Sequence, residues 1–268
     1  MIIKDEDYKL LENEKYQLFM FYKEMQLKTF SGYTDRKNFI IGNSSYLMNT
    51  VWIWNTDFCS DDILDRALDV LDDYYSLIDD CFFICKHKLS NYYTENKNRY
   101  EIQANKVGSL AFMICKNLKH PLVSAPGKLV LCTLDDIDTI RDLIKASKSD
   151  CPECPFINED DLTDDEIRLL IYGKRAFFYK NLQGNITSFC FLSDQGDDDI
   201  FINCYYTYPE YHGQHYELAM MYELTNSLKN AGLNPILPIF SPNNHDVDYE
   251  EIGYVKTDDL DVWKRIKK

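Results

Sequence analysis

The sequence has no run approaching the ~20 uninterrupted apolar residues that a membrane-spanning helix requires. Met1 to Asp7 carries neither the basic start nor the apolar core of a secretory signal. A cytoplasmic chain with no membrane partner is expected. Positive charge is also scarce: 29 Lys and Arg stand against 44 Asp and Glu, a net charge of −15. No Lys/Arg stripe interleaved with aromatics offsets this acidity, so a phosphate backbone is repelled and nucleic acid is not an expected partner. There is no P-loop, no Rossmann glycine fingerprint and no nucleophilic Ser or Cys motif. Cys151-Pro152-Glu153-Cys154 is the one CxxC, and no second CxxC or paired histidines complete a tetrahedral site, so no metal is expected. The nine cysteines are odd in number and scattered through apolar runs such as Ala111 to Cys115, a pattern of reduced, buried thiols.

What is present is enough to build cores: 45% of residues are hydrophobic and 14% aromatic. A chain of 268 residues accommodates two domains of roughly 130 residues. The stretch His120 to Lys128, with Pro121, Pro126 and Gly127, reads as the linker, which predicts domains over 1–127 and 128–268. In the first half, Leu11, Phe19, Tyr22 and Met25 recur at helical spacing, predicting an amphipathic helix over Glu6 to Lys28. Two short strands are expected between Asn38 and Trp54, then a helix capped at Ser60 or Asp61 and carrying Leu64, Ala67, Leu68 and Leu71. Asp80 to Cys85 and Gly108 to Cys115 read as strands.

The second half has clearer punctuation. Leu129 to Cys132 is strand-like; Thr133 with Asp136, and Thr163 with Glu166, are capping patterns ahead of apolar helical repeats. Ala176 to Tyr179, Ile186 to Leu192 and Ile200 to Tyr206 follow as three strands of an antiparallel meander, with turns at Gln183-Gly184 and Gln195-Gly196. A helix from Gly213 to Ala231 ends at Gly232, and Ile236 to Phe240 is another strand. A short helix over Asp246 to Glu251 and closing strands at Tyr254 to Val255 and Val262 to Ile266 complete the order.

This order, together with Tyr205-Tyr206-Thr207-Tyr208-Pro209-Glu210-Tyr211-His212-Gly213, Asn243-Asn244 and Tyr249-Glu250-Glu251-Ile252-Gly253-Tyr254, resembles the GNAT N-acetyltransferase family. The resemblance implies an α/β fold with a mixed sheet, the GNAT-like acyl-CoA acyltransferase fold, and two tandem domains with a diverged N-terminal one. It implies acetyl-CoA as co-substrate and a small-molecule or peptide amine as acceptor. Tyr205, Tyr206 and Thr207 would offer a strand edge to the pantetheine arm, with Asn244 nearby. The pyrophosphate would meet the loop and helix start formed by His212, Gly213, Gln214, His215, Tyr216 and Glu217, where free amides and the helix dipole favour an anion.

The loop departs from the family pattern at its three defining positions, with His212 for Arg or Gln, His215 for Gly and Glu217 for Gly or Ala. A side chain at 215 crowds an approaching phosphate, and a carboxylate at 217 opposes it. A non-catalytic descendant that keeps the fold as a binding or assembly module is therefore the alternative expectation. Tyr249 is the expected proton donor to the departing thiolate, on the argument that an unperturbed phenol, with a pKa of about 10, is close to a thiol. Its bland counterpart is a packing tyrosine. Glu210 and Asp197 to Asp199 are near in sequence, but no base is assigned.

Overall fold

A computed structural model describes the whole chain except residues 1–2, 5, 27–30, 45–48, 76–80, 156–161, 195–197, 243–246 and 267–268. The Gln195-Gly196 turn, Asp197, Asn243, Asn244 and Asp246 therefore lie outside the described residues. The elements run α1 (Phe19–Gln26), β1 (Ser31–Thr34), β2 (Phe39–Asn43), β3 (Thr50–Asn55), α2 (Asp61–Tyr75), β4 (Phe82–Lys86), α3 (His87–Asn96) and β5 (Ala104–Cys115). They continue with β6 (Gly127–Leu131), α4 (Ile137–Asp150), α5 (Asp164–Tyr172), β7 (Ala176–Asn181), β8 (Ile186–Asp194) and β9 (Asp199–Thr207). Last come α6 (Tyr216–Asn230), β10 (Asn234–Ser241), β11 (Tyr254–Lys256) and β12 (Leu260–Arg265).

The chain divides into two compact units, but not at the expected boundary of 127/128. The first contains Met1–Ala111, Phe240–Pro242 and Asp258–Lys268; the second contains Phe112–Ile239 and Asn243–Thr257. The last strand, expected in the second domain, belongs to the first unit because β12 pairs antiparallel with both β4 and β5, Val262 lying opposite Ile84 and Gly108. A Pro-Gly signal marks a turn in the chain, and a turn does not decide which sheet a distant strand completes.

In the first unit β1, β2 and β3 form an antiparallel meander, and β3 pairs parallel with β4 through the α2 crossover. Leu64, Leu68 and Leu71 of α2 are buried against Ile53, Phe83, Tyr93 and Trp263, as spacing of four and seven residues along a helix dictates. Asp61 and Asp62 stand in the first turn of α2, where the dipole favours negative charge. The helix expected over Glu6 to Lys28 is instead a 3-10 segment at Asp7–Glu14 followed by α1. Phe19 to Met25 are all buried, so the segment has no solvent face and a one-sided period misjudges it. Helix α3 was not foreseen: it starts straight after β4 with no side-chain cap.

The second unit repeats the same local logic. Strands β6, β7, β8 and β9 are antiparallel neighbours, and β9 pairs parallel with β10 through the α6 crossover. One face of this sheet packs on α6, through Leu218, Met221, Leu224 and Leu228; the other packs on α4 and α5, through Ile140, Leu143, Ile144 and Ile167. Both capping patterns form: the Thr133 amide donates to Asp136 Oδ2 (2.7 Å) and the Thr163 amide to Glu166 Oε2 (2.6 Å). Glu223 ties α6 to the sheet, accepting from the Leu129 amide (3.0 Å) and the Tyr179 hydroxyl (3.2 Å). The short helix expected over Asp246 to Glu251 is not helical where described: residues 249–253 form turns. Gly253 closes them at φ 95°, where an added Cβ would meet Asn117 O at 1.8 Å.

Trp263 of β12 is 8% exposed and donates through Nε1 to Ser90 Oγ at 3.0 Å. Trp263→Ala is expected to destabilise the protein by about 3–5 kcal/mol. Chemical denaturation monitored by circular dichroism will show a lower midpoint if β12 completes the first core.

Candidate functional site

The site begins with an irregularity in β9. Tyr206 lies opposite Phe189 of β8, and Asn203 lies opposite Phe191. Cys204 and Tyr205 therefore face one residue, Cys190, and β9 carries a bulge. Cys204 adopts φ 46°, and its amide is held by Asn203 Oδ1 at 2.9 Å. A bulge shifts the alternation of side chains by one and bends its strand. Ile200 and Ile202 accordingly pack on the α6 side, whereas Cys204 and Tyr206 pack on the α4 side and Tyr205 on the α6 side. Strands β9 and β10 pair only over Asp199–Phe201 and Asn234–Ile236. Beyond that point the edge of β9 from Ile202 to Thr207 has separated from β10, although Tyr205 reaches across and donates its hydroxyl to Pro238 O at 2.9 Å.

The loop after β9 turns sharply into α6. Pro209–Tyr211 is one turn of 3-10 helix, Gly213 adopts φ 72° and His215 adopts φ 63° as the N-cap of α6. A histidine in the left-handed region costs about 1–2 kcal/mol relative to ordinary backbone, so the conformation there is one a glycine would adopt freely. The first backbone bond into α6 runs from the Ala219 amide to His215 O at 3.0 Å, and the amides before it have no partner inside the helix.

A cleft of about 320 Å³ opens beside this helix start, lined by Thr207, Tyr211, His212, His215, Glu217 and Asp248 among others. Of the expected cofactor-binding residues, Thr207, His212, Gly213, His215, Tyr216 and Glu217 line it. Tyr205, Tyr206 and Gln214 do not, and Asn244 lies outside the described residues. Tyr206 points to the opposite face of the sheet, into the α4 core. Tyr211, Leu218, Val247, Asp248 and Glu251 line the cleft without having been singled out. None of the described lining residues is Lys or Arg.

Tyr249 stands behind the cleft rather than in it. It is 4% exposed, and its hydroxyl donates to Oε1 of Glu217, itself 5% exposed. Glu217 Oε2 accepts from Thr207 Oγ1 at 3.4 Å, Thr207 Oγ1 contacts Ser188 Oγ at 2.8 Å, and His212 Nε2 donates to Thr207 O at 2.7 Å. Tyr254 fixes the same turn segment further along α6, sharing a 2.6 Å hydrogen bond with Thr225 Oγ1. Burial raises the Glu217 pKa above that of an ordinary carboxyl, opposed by hydrogen bonding from Tyr249, by the nearby His212 and by Thr207. Burial first, and then the Glu217 charge, push the Tyr249 phenol well above its usual range. The match between an unperturbed phenol and a thiol therefore does not hold for Tyr249: beside an ionised Glu217 it is a much weaker acid. Cys151 and Cys154 are both buried, with the Cys154 amide on Cys151 O at 3.1 Å.

A scan of protein-family models matches none to this sequence, and a search of curated proteins finds no match. Solved structures do match. An acetyltransferase of the GNAT family from Colwellia psychrerythraea aligns over 100% of both chains with a TM-score of 0.57 and 13% identity. A GCN5-related N-acetyltransferase from Sphaerobacter thermophilus aligns over 84% of this chain and 75% of its own, with a TM-score of 0.56 and 10% identity. A Drosophila protein aligns over 100% of this chain and 98% of its own, with a TM-score of 0.61 and 11% identity. The fold is that of the GNAT acetyltransferases. Glu217, Asp248 and Glu251 make the cleft acidic.

Tyr249→Phe removes a donor from a buried carboxylate, which is expected to cost about 1–3 kcal/mol. Glu217 has a folded-state pKa above its unfolded one, so the protein is most stable below the unfolded value of about 4.3 and loses that stability as pH rises through the folded one. The Tyr249→Phe penalty should follow the same sense. Melting temperatures will differ more between variant and wild type at pH 8 than at pH 5.

Proposed function

We propose that the chain is a CoA-dependent N-acyltransferase that moves an acetyl group from acetyl-CoA directly to a primary amine of a small molecule or peptide. The observation that carries this reading is the separation of β9 from β10 just where the amides of the α6 start face a cleft. Backbone groups of Tyr205 to Thr207 would hold the pantetheine arm. The amides from Gly213 to Glu217 would meet the pyrophosphate, aided by the helix dipole. Bound acetyl-CoA supplies an activated carbonyl and a sulfur leaving group. The acidic cleft and the net charge of −15 favour a cationic acceptor over an anionic one.

A second reading has its own support. The Tyr205 hydroxyl already bridges the parted strands, and Glu217 carries a carboxylate at the helix start. Both features suit a GNAT-fold module that binds or assembles without using CoA. The two readings separate on ligand binding, because a ligand that binds the native state raises its melting point. Acetyl-CoA and CoA at millimolar concentration are expected to raise it; no shift would favour the module.

His215→Gly is expected to leave stability unchanged or slightly raised, since glycine accepts φ 63° without strain. It should also tighten CoA binding by clearing a side chain from the phosphate approach. Isothermal titration with CoA will show a lower Kd than for the wild type; a higher one would remove this loop from CoA recognition.

A further inference from the structure

The turn that follows α4 carries two thiols for which acyl transfer has no use. Helix α4 ends on Cys151, whose amide still donates to Ser147 O at 3.1 Å, and the Cys154 amide closes a turn onto Cys151 O at 3.1 Å. Pro152, whose fixed φ suits the second position of such a turn, is exposed, so the turn lies at the surface although each thiol is largely covered. A turn closed in this way holds its end Cα atoms within about 7 Å, and a disulfide spans about 4.4–6.8 Å between Cα atoms. Both cysteines are free in the structure. We infer that they form a thiol–disulfide exchange site, in which Cys151 attacks a low-molecular-weight disulfide of the glutathione class and Cys154 resolves the adduct. The inference does not depend on the acyl-transfer reading.

Environment separates Cys151 from the thiols of the sheet. Burial pushes the thiols of Cys85, Cys115, Cys132, Cys190 and Cys204 up, which keeps them protonated and unreactive. Cys151 is held below the ordinary thiol range, first by hydrogen bonding from the Cys154 thiol, then by the Lys148 ammonium and the Cys154 amide, with burial and Asp150 opposing. Lys148 is fixed beside the turn, its Nζ donating to Cys154 O at 3.2 Å. Tyr205 of β9 is a further titratable group that faces the pair. The thiolate is the nucleophile in disulfide exchange. Cys151 is therefore the attacking sulfur, and Cys154, already hydrogen-bonded to it, is placed to displace the adduct.

The exchange balances. The Cys151 thiolate bonds to one sulfur of the small disulfide, whose S–S bond breaks with its electron pair on the departing sulfur; that sulfur takes up the proton Cys151 has lost. Cys154 then gives up its proton, bonds to Cys151 Sγ and displaces the second small thiolate, which takes that proton. Two electrons pass from the protein dithiol to the small disulfide, leaving one protein disulfide and two free thiols. The turn is also tied to the bulged strand: Asp150 accepts from the Tyr206 hydroxyl, and Ser147 hydrogen-bonds the Cys204 sulfur. The dithiol is thus anchored to the part of β9 that has separated from β10.

The test uses the full chain, reduced, freed of reductant and incubated near neutral pH with excess glutathione disulfide. The reaction is quenched with acid, and the protein is unfolded, alkylated with iodoacetamide and digested with trypsin. Cleavage after Lys148 and Arg168 leaves both cysteines in one peptide, 149–168. In the wild type this peptide should lose two hydrogens and take up no alkyl group, while the peptides carrying Cys132, Cys190 and Cys204 are alkylated. Cys154→Ser keeps a hydroxyl donor beside Cys151 and should hold glutathione as a mixed disulfide on Cys151. Cys151→Ser should form its adduct on Cys154 roughly tenfold or more slowly, because Cys151 is the activated thiol. Melting followed by circular dichroism checks that each protein stays folded during the incubation, and the wild-type peptide decides the outcome even where a serine variant does not fold. A wild-type peptide alkylated at both cysteines would overturn the inference, and equal adduct rates in the two folded variants would overturn the role of Cys151. Either result would leave the acyl-transfer reading untouched.

Discussion

One misfit residue pair in β9 sets the geometry of the second unit's cleft. Two residues of β9, Cys204 and Tyr205, stand against one of β8, and the ladder absorbs the extra residue by placing Cys204 at φ 46°. The consequence is a change of side-chain phase halfway along a central strand. Upstream, Ile200 and Ile202 pack toward α6; downstream, Tyr205 takes that side and Tyr206 goes to the α4 core. The bend that accompanies a bulge also accounts for the parting of β9 from β10 after three paired residues. A regular strand would keep the parallel pairing and leave no exposed edge.

Onto that opened edge the chain sets a helix start and then fills its interior with its own polar groups. Thr207 at the end of β9, Glu217 in the first turn of α6 and Tyr249 on the closing turn converge in one hydrogen-bonded chain that also includes Ser188. An isolated carboxylate so buried would be strongly disfavoured as an ion. Two donors and His212 offset part of that cost, and the residual imbalance appears as a raised pKa. The same arrangement weakens Tyr249 as an acid, so neither group has the properties its residue type has in water. Their chemistry belongs to the pair.

The two units share a local plan of antiparallel strands leading into a parallel crossover, β3 to β4 over α2 and β9 to β10 over α6. Their helix starts differ in ways that matter. The α2 start carries Asp61 and Asp62, whereas the α6 start follows a loop with two left-handed residues and faces a cleft. Strand β5 is divided between the units, its first part pairing with β12 and its last residues with β11.

Local physical signals fixed much of the element order. Thr133 with Asp136 and Thr163 with Glu166 could be read directly, because a capping box lies within four residues of chain. The meander of β7 to β9 and the long α6 were legible for the same reason. Helix α3 was not, since it has no cap and follows a strand without a turn, and neither was the all-round burial of α1. His212 to Glu217 and Tyr249 stood out by resemblance, and six of the loop and strand residues do line one cleft. What sequence by itself could not contain was the partnership of Glu217 with Tyr249, 32 residues apart, the unit to which β12 belongs, and the phase shift of the bulge. Each depends on which distant segments pack together, and burial is a property of that packing. Residue types and local spacing decided the elements; only the tertiary structure decided which charges left water, and hence what those residues are able to do.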